Sequence, residues 1–168
     1  MDSALSTLIA VLGTLLGAGL THLFQRRAAA HDREFAVQQQ LRAERLTVYS
    51  DFAGAVTELR RGQHDRWHRK DEDPQSTACF EARMEAYRLR GVALHALFRV
   101  QLITGRQTLT QAAQRAYDLT SDTHKAADRQ ELNALGEQAK DALTDFVQLS
   151  SSDVREHTGQ PPGAGARQ

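Results

Sequence analysis

The sequence predicts an all-α protein: one N-terminal transmembrane helix continuing into a cytoplasmic antiparallel bundle of three helices, or four. Three observations predict it. From Ser3 to Gln25 no residue carries a fixed charge. Beyond that run, apolar residues recur at steps of three, four and seven with polar residues between them, the period of a helix with one buried face. Pro occurs 3 times and aromatics make up 6%, while Ala, Leu, Gln, Arg and Glu dominate. These residues give up little rotamer freedom in a helix. No stretch alternates apolar and polar residues as a half-buried strand would. The expected layout is an anchor over 1–25, a bundle over 26–155 and a disordered tail over 156–168.

The anchor comes first. Ala4 to Phe24 reads ALSTLIAVLGTLLGAGLTHLF. At about 1.5 Å per residue this run spans about 31 Å, against a hydrocarbon thickness of roughly 30 Å. A cleaved signal peptide would carry positive charge ahead of its apolar stretch. Here only Met1 and Asp2 precede it, and Arg26 and Arg27 follow. Basic residues stay on the cytoplasmic side, so Arg26 and Arg27 set the topology: N-terminus outside, body in the cytoplasm, one pass through the cell membrane. Ser6, Ala10, Gly13 and Gly17 form a small-residue stripe on the span, through which two membrane helices can associate closely. The plainer account is that glycine is common in membrane helices. No Asp, Glu, Lys or Arg lies within the span, which argues against an ion or proton path.

Three helical stretches follow, at about 28–69, 74–104 and 108–152. The first carries Phe35, Leu41, Val48, Phe52, Val56 and Leu59. Gly54 is its isolated weak point. Asp73-Pro74 reads as N-cap and first position of the second helix. That helix's apolar stripe is Phe80, Met84, Tyr87, Gly91, Leu94, Phe98 and Leu102, with Gly91 allowing close helix contact. Gly105 reads as a left-handed C-terminal cap, and Thr108 to Gln111 as a capping box. The third stretch carries Leu109, Ala112, Ala116 and Leu119, then Leu132, Leu135, Ala139, Leu143, Phe146 and Leu149, with a candidate break at 121–127. Its apolar face runs out after Ser150-Ser151-Ser152. Each helix has one apolar stripe and needs neighbours in water. Short links favour antiparallel ones.

Formal net charge is zero. The basic excess lies in residues 26–70 and the acidic excess beyond it. A nucleic-acid binder would show a strong positive total. One local exception is RRGQHDRWHRK, where Arg60, Arg61, Arg66, Arg69 and Lys70 surround Trp67. Cations around an aromatic can hold phosphates and stack a base. Glu58, Asp65 and Asp71 to Asp73 dilute that field, and Trp67 serves equally well to close the end of a bundle. His64 and His68 in the same segment stand one helical turn apart, a spacing that metal sites use. The glutamate of a zinc-protease helix is missing, and a solvated helix end explains the pair. The lone Cys79 excludes an intrachain disulfide and suits a reducing compartment, most simply as a small apolar residue. No glycine-rich phosphate loop, nucleophile elbow or thiol–base set occurs. Neither enzyme activity nor a cofactor is expected.

The anchor ALSTLIAVLGTLLGAGLTHLFQRR with RAERLTVYSDFAGAVTELRRGQHDRWHRK, Arg42 to Lys70, resembles the membrane-anchored KilB-type proteins of actinobacterial conjugative plasmids. ALFRVQLITGRQTLTQAAQRAYDL and DALTDFVQLSSSDVRE resemble the wider set of actinobacterial proteins with this layout. The likeness runs from about Ala4 to Glu156. It implies a helper role in conjugal plasmid transfer or its spread within a mycelium, beside a separate DNA motor, and it brings no catalytic residues. The expected partners are membrane lipid, DNA-transfer machinery and a second copy of the chain, with no direct hold on nucleic acid. The alternative is a general cytoplasmic-face scaffold or sensor acting through helix pairing.

Overall fold

The computed structural model describes the backbone of residues 2–156 and the side chains of residues 35–155. It contains α1 (Asp2–Glu72), α2 (Thr77–Ile103), α3 (Gln107–Asp122), a 3₁₀ turn (Thr123–Lys125) and α4 (Arg129–Glu156). No strand occurs among the described residues. The chain divides into two compact units, Met1–Leu41 and Arg42–Gln168. In the first unit the described side chains of Phe35, Val37 and Leu41 are exposed. The core stripe of α1 therefore begins at Val48, not at Phe35. Among the described residues no helix is long and apolar enough to cross a membrane. The expected anchor, its stripe of Ser6, Ala10, Gly13 and Gly17, and the flanking Arg26 and Arg27 lie outside the described side chains, and the tail from 157 lies outside the described residues.

The second unit is an antiparallel four-helix bundle, and its cross-links give the directions. Tyr49 on α1 donates to Asp153 at the far end of α4, while Trp67, later on α1, meets Ala126 just ahead of α4. Asp51 pairs with Arg99 and Arg66 lies over Tyr87, so α1 and α2 also run in opposite directions. Arg90 with Tyr117 and Gln101 with Gln114 reverse α2 against α3. The core takes Val48, Phe52, Val56 and Leu59 from α1; Ala93, Ala96, Leu97 and Val100 from α2; Leu109, Ala113, Ala116 and Tyr117 from α3; and Ala142 and Phe146 from α4. Phe146 sets its ring edge against Phe52 at 4.8 Å and Tyr49 at 6.0 Å. A satellite cluster of Trp67, Ala126 and Leu132, with Leu135 against it, closes the other end.

The candidate break at 121–127 is real, and it makes the bundle four-helical. α3 tightens into the 3₁₀ turn, and α4 starts under a reciprocal cap. The Asp128 carboxylate accepts from Glu131 N–H at 2.8 Å, and the Glu131 carboxylate accepts from Ala127 N–H at 2.7 Å. These bonds satisfy donors that a helix start leaves open.

Other ends differ from the sequence reading. Ser76, not Asp73, caps α2: its hydroxyl accepts from Cys79 N–H, while the Asp73 carboxylate accepts from Gln75 N–H within the preceding turn. α2 ends on Thr104 in an extended conformation (φ −105°, ψ 132°), not on a left-handed Gly105. Arg106 precedes α3 without a side-chain cap, so the Thr108 capping box does not form. The guanidinium of Arg106 is bound to Asp153 instead, and this tertiary tie sets the path of the loop. α4 continues to Glu156 with Ser150, Asp153 and Val154 buried, beyond the serine triplet, while Leu149 of the expected stripe is exposed.

Candidate functional site

Three regions of the bundle have chemistry to offer. The first is the segment Arg60–Lys70. A helix turns its residues through 100° each, so neighbours in sequence face different ways. Arg60, Arg61, His64 and His68 line a cleft of about 570 Å³ between α1 and α4, opposite Leu132, Asn133, Gly136 and Glu137. Arg66, Trp67 and Lys70 line a second hollow of about 240 Å³ with Pro74, Cys79, Arg83 and His124. Arg69 faces neither and pairs with Asp65 and Glu72. Arg61 pairs with Glu58, and Arg66 sits 5.3 Å above the ring of Tyr87. The six candidate nucleic-acid residues therefore do not form one surface. Trp67 is buried and its indole N–H donates to Ala126 O at 2.8 Å. Its hydrogen bond ties α1 to the turn ahead of α4, and only a small part of the ring, 6% exposed, reaches the hollow that it shares with Arg66 and Lys70.

Trp67→Phe keeps most of the packing and orphans the Ala126 carbonyl. Loss of one buried hydrogen bond predicts a drop of about 1–2 kcal/mol in unfolding free energy, measurable by urea denaturation. An unchanged midpoint would show that this bond does not hold the bundle's end.

His64 and His68 stand with ring centroids 4.7 Å apart. Burial holds the His64 pKa below 6.5, helped by the charges of His68 and Arg60. Its neutral ring is the form a metal needs. Two ligands do not complete a tetrahedral site, and no group of three His, Cys, Asp or Glu able to hold a metal occurs among the described residues. Cys79 is half-buried at the start of α2, with its backbone N–H held by the Ser76 cap.

The second region, which the sequence reading missed, is a buried polar knot. Asp153 is 2% exposed. Its carboxylate accepts from Tyr49 Oη at 2.9 Å, lies 3.0 Å from Arg106 Nε and 3.9 Å from Arg45. Three parts of the bundle meet there: α1, the α2–α3 loop and the last turn of α4. Burial raises the Tyr49 pKa above 10; a hydrogen bond with Thr104 works against the shift and Asp153 adds to it. The geometry is that of a clamp. A sequence signal existed, an Asp on the inward side of α4, but the preceding serines hid it.

The third region is the outer face of α2. Phe80 is 54% exposed, Met84 49%, Tyr87 51%, Phe98 50% and Leu102 87%. These residues were expected to form the core stripe, and they face outward. The inward face is Ala82, Ala86, Ala93, Ala96, Leu97 and Val100. Gly91 is exposed, with nothing within 4 Å of where its Cβ would stand, so it mediates no contact inside the bundle. The close approach of α1 and α2 falls at Gly62, where a Cβ would lie 2.6 Å from Leu89 Cδ1. Small side chains line the inner face because they let α2 sit near its neighbours, leaving the large ones outside.

Neither the curated proteins nor the solved structures contain a match to this chain. A family model does match, that of the KilB plasmid transfer protein, over residues 46–154. The matched stretch begins one turn before Tyr49 and ends one residue past Asp153, taking in the whole buried core from Val48 to Val154. On that extent, this chain belongs to the KilB plasmid transfer protein family.

Proposed function

We propose that this chain is a membrane-anchored helical interaction protein that assists conjugal plasmid transfer or the spread of plasmid DNA within a mycelium. The observation that carries the reading is the family match across the bundle. A role in plasmid transfer comes with the family; the anchoring and the mode of action are the proposal. The charge-free run Ala4 to Phe24 supports an anchor because its length fits the hydrocarbon layer. Arg26 and Arg27 support a cytoplasmic bundle. The bundle's side chains support binding over catalysis: Tyr49 and Asp153, and Gln63 with the Ser121 carbonyl, form ties between helices, and the large apolar residues on α2 are turned outward.

The genetic test is deletion of the gene from its plasmid, with the area of the transfer zone around single donors as the readout. A smaller zone is expected, restored by the gene supplied in trans; an undiminished zone rejects the role. Localisation has its own readout. The full-length chain should stay with the membrane fraction after carbonate washing, and its recovery in the supernatant would reject the anchor while leaving the transfer role open.

A further inference from the structure

We infer that the outer face of α2 is a self-association surface, on which a second copy of this chain packs antiparallel with its two-fold axis at Gly91. The stripe reads nearly the same in both directions from that residue. Phe80 and Leu102 lie eleven residues to either side of it, Met84 and Phe98 seven, and Tyr87 and Leu94 four and three. Reversing one copy against another about Gly91 sets Phe80 on the second copy's Leu102 and Met84 on its Phe98; these two pairs carry the contact, since Leu94 packs against its own core and Tyr87 lies under its own Arg66. A two-fold interface needs a patch complementary to itself, and this stripe meets that need. Gly91 at the crossing has open space outside it, so the two backbones can approach there.

Area supports the same occupant. An aromatic side chain carries roughly 200 Å² of surface, so the exposed parts of Phe80, Met84, Tyr87, Phe98 and Leu102 leave roughly 500–600 Å² of apolar surface on one helix face. That is at the upper end for the largest patch on a monomer, about 300–600 Å². A stable dimer covers about 800 Å² per partner. Exposed Arg83, Arg88 and Gln101 flank the stripe, Arg83 with its guanidinium 5.5 Å over the Phe80 ring, and their aliphatic stems add apolar surface beside it.

The chain's own tail, HTGQPPGAGARQ from 157 to 168, carries no Phe, Tyr, Trp, Leu, Ile, Val or Met to interdigitate with the stripe.

Disulfide trapping of the full-length chain in the cells that produce it, scored in membrane and supernatant fractions alike, tests the arrangement apart from the anchor. With Cys79→Ser as background, Gly91→Cys places the new thiols on the two-fold axis, within the roughly 4 Å between Cβ atoms that a disulfide requires. Mild oxidation should move the chain to twice its mass on a non-reducing gel. Gly54→Cys, on an exposed position of α1 with open space around it, should give only background. A mixture of Phe80→Cys chains and Leu102→Cys chains should also cross-link, more than either does with itself. Met84→Glu with Phe98→Glu should abolish trapping at position 91 while the helical circular dichroism stays unchanged. Trapping at Gly91 no stronger than at Gly54 overturns the proposal. Self-trapping of Phe80→Cys above the mixture overturns it in favour of a parallel pair. A cross-linked product of another mass overturns it in favour of a different partner.

Discussion

Phe146→Ala is expected to lower the unfolding free energy by about 4 kcal/mol, the cost of emptying a fully buried aromatic position that its neighbours only partly refill. Phe146 is 0% exposed and meets both Phe52 and Tyr49 edge-on, so the truncation also removes two ring pairs, each worth about 0.5–1.5 kcal/mol. Phe98→Ala makes the same chemical change on the outer face of α2. Because Phe98 is half-exposed, the loss there should be about 1 kcal/mol or less in the monomer. Urea unfolding of the two variants at low protein concentration checks both numbers. Equal losses would mean that α2 is turned the other way round, with its large residues inside.

Asp153→Ala is expected to cost about 3 kcal/mol, because removing one member of a buried ionic cluster leaves its partners short of a charge and a hydrogen bond. Tyr49 Oη loses its acceptor, and Arg106 and Arg45 lose their counter-ion. The three parts of the bundle that meet at the carboxylate then have no common tie. Asp153→Asn keeps an oxygen for Tyr49 and should lose less. Glu85→Ala is the useful contrast: its pairing with Arg88 is shorter, 2.6 Å, but fully in solvent, where screening and side-chain entropy cancel most of the gain. Thermal unfolding should leave Glu85→Ala unchanged and shift Asp153→Ala far down. The reverse order would show that exposed pairs, not the buried knot, hold the helices in place. Tyr49 adds a sign to the pH profile. Its pKa is raised in the folded state, so its contribution is complete below pH 10 and is lost as pH rises beyond that.

Much of the bundle was legible in the sequence. Val48, Phe52, Val56 and Leu59 recur at helical steps and are all buried; Leu132, Ala139 and Phe146 on α4 behave the same way. Periodicity reports such faces faithfully when one side of a helix is apolar and the other charged. On α2 it failed because both sides are apolar. One side is built from alanines and the other from aromatic and long aliphatic residues, and a reading weighted by side-chain size chooses the larger. Packing chooses the smaller, since four helices around one core need close approach more than bulk at that position. The helix ends failed for a related reason. Asp73, Gly105 and Thr108 each match a local capping pattern, but Ser76 and the Arg106–Asp153 tie prevail because they satisfy more groups at once.

By itself the sequence determined the all-α class, the antiparallel order of the helices and the apolar registers of Val48 to Leu59 on α1 and Leu132 to Phe146 on α4, because each follows from residue spacing along one helix; Phe35, Leu41 and Leu149, placed on the same stripes, are exposed, and Ala113 and Tyr117 on α3 are buried instead. The segment Arg60–Lys70 reads in the sequence as one basic cluster around an aromatic residue. Only the tertiary structure divided it between two hollows and buried Trp67, since which way each residue faces depends on where α2 and α4 lie. Only the tertiary structure joined Asp153 to Tyr49 and Arg106, residues far apart in the chain. It also decided which face of α2 remains outside. That last choice matters most for function, because it depends on how much space the neighbouring helices leave, a quantity that no single helix carries in its own sequence.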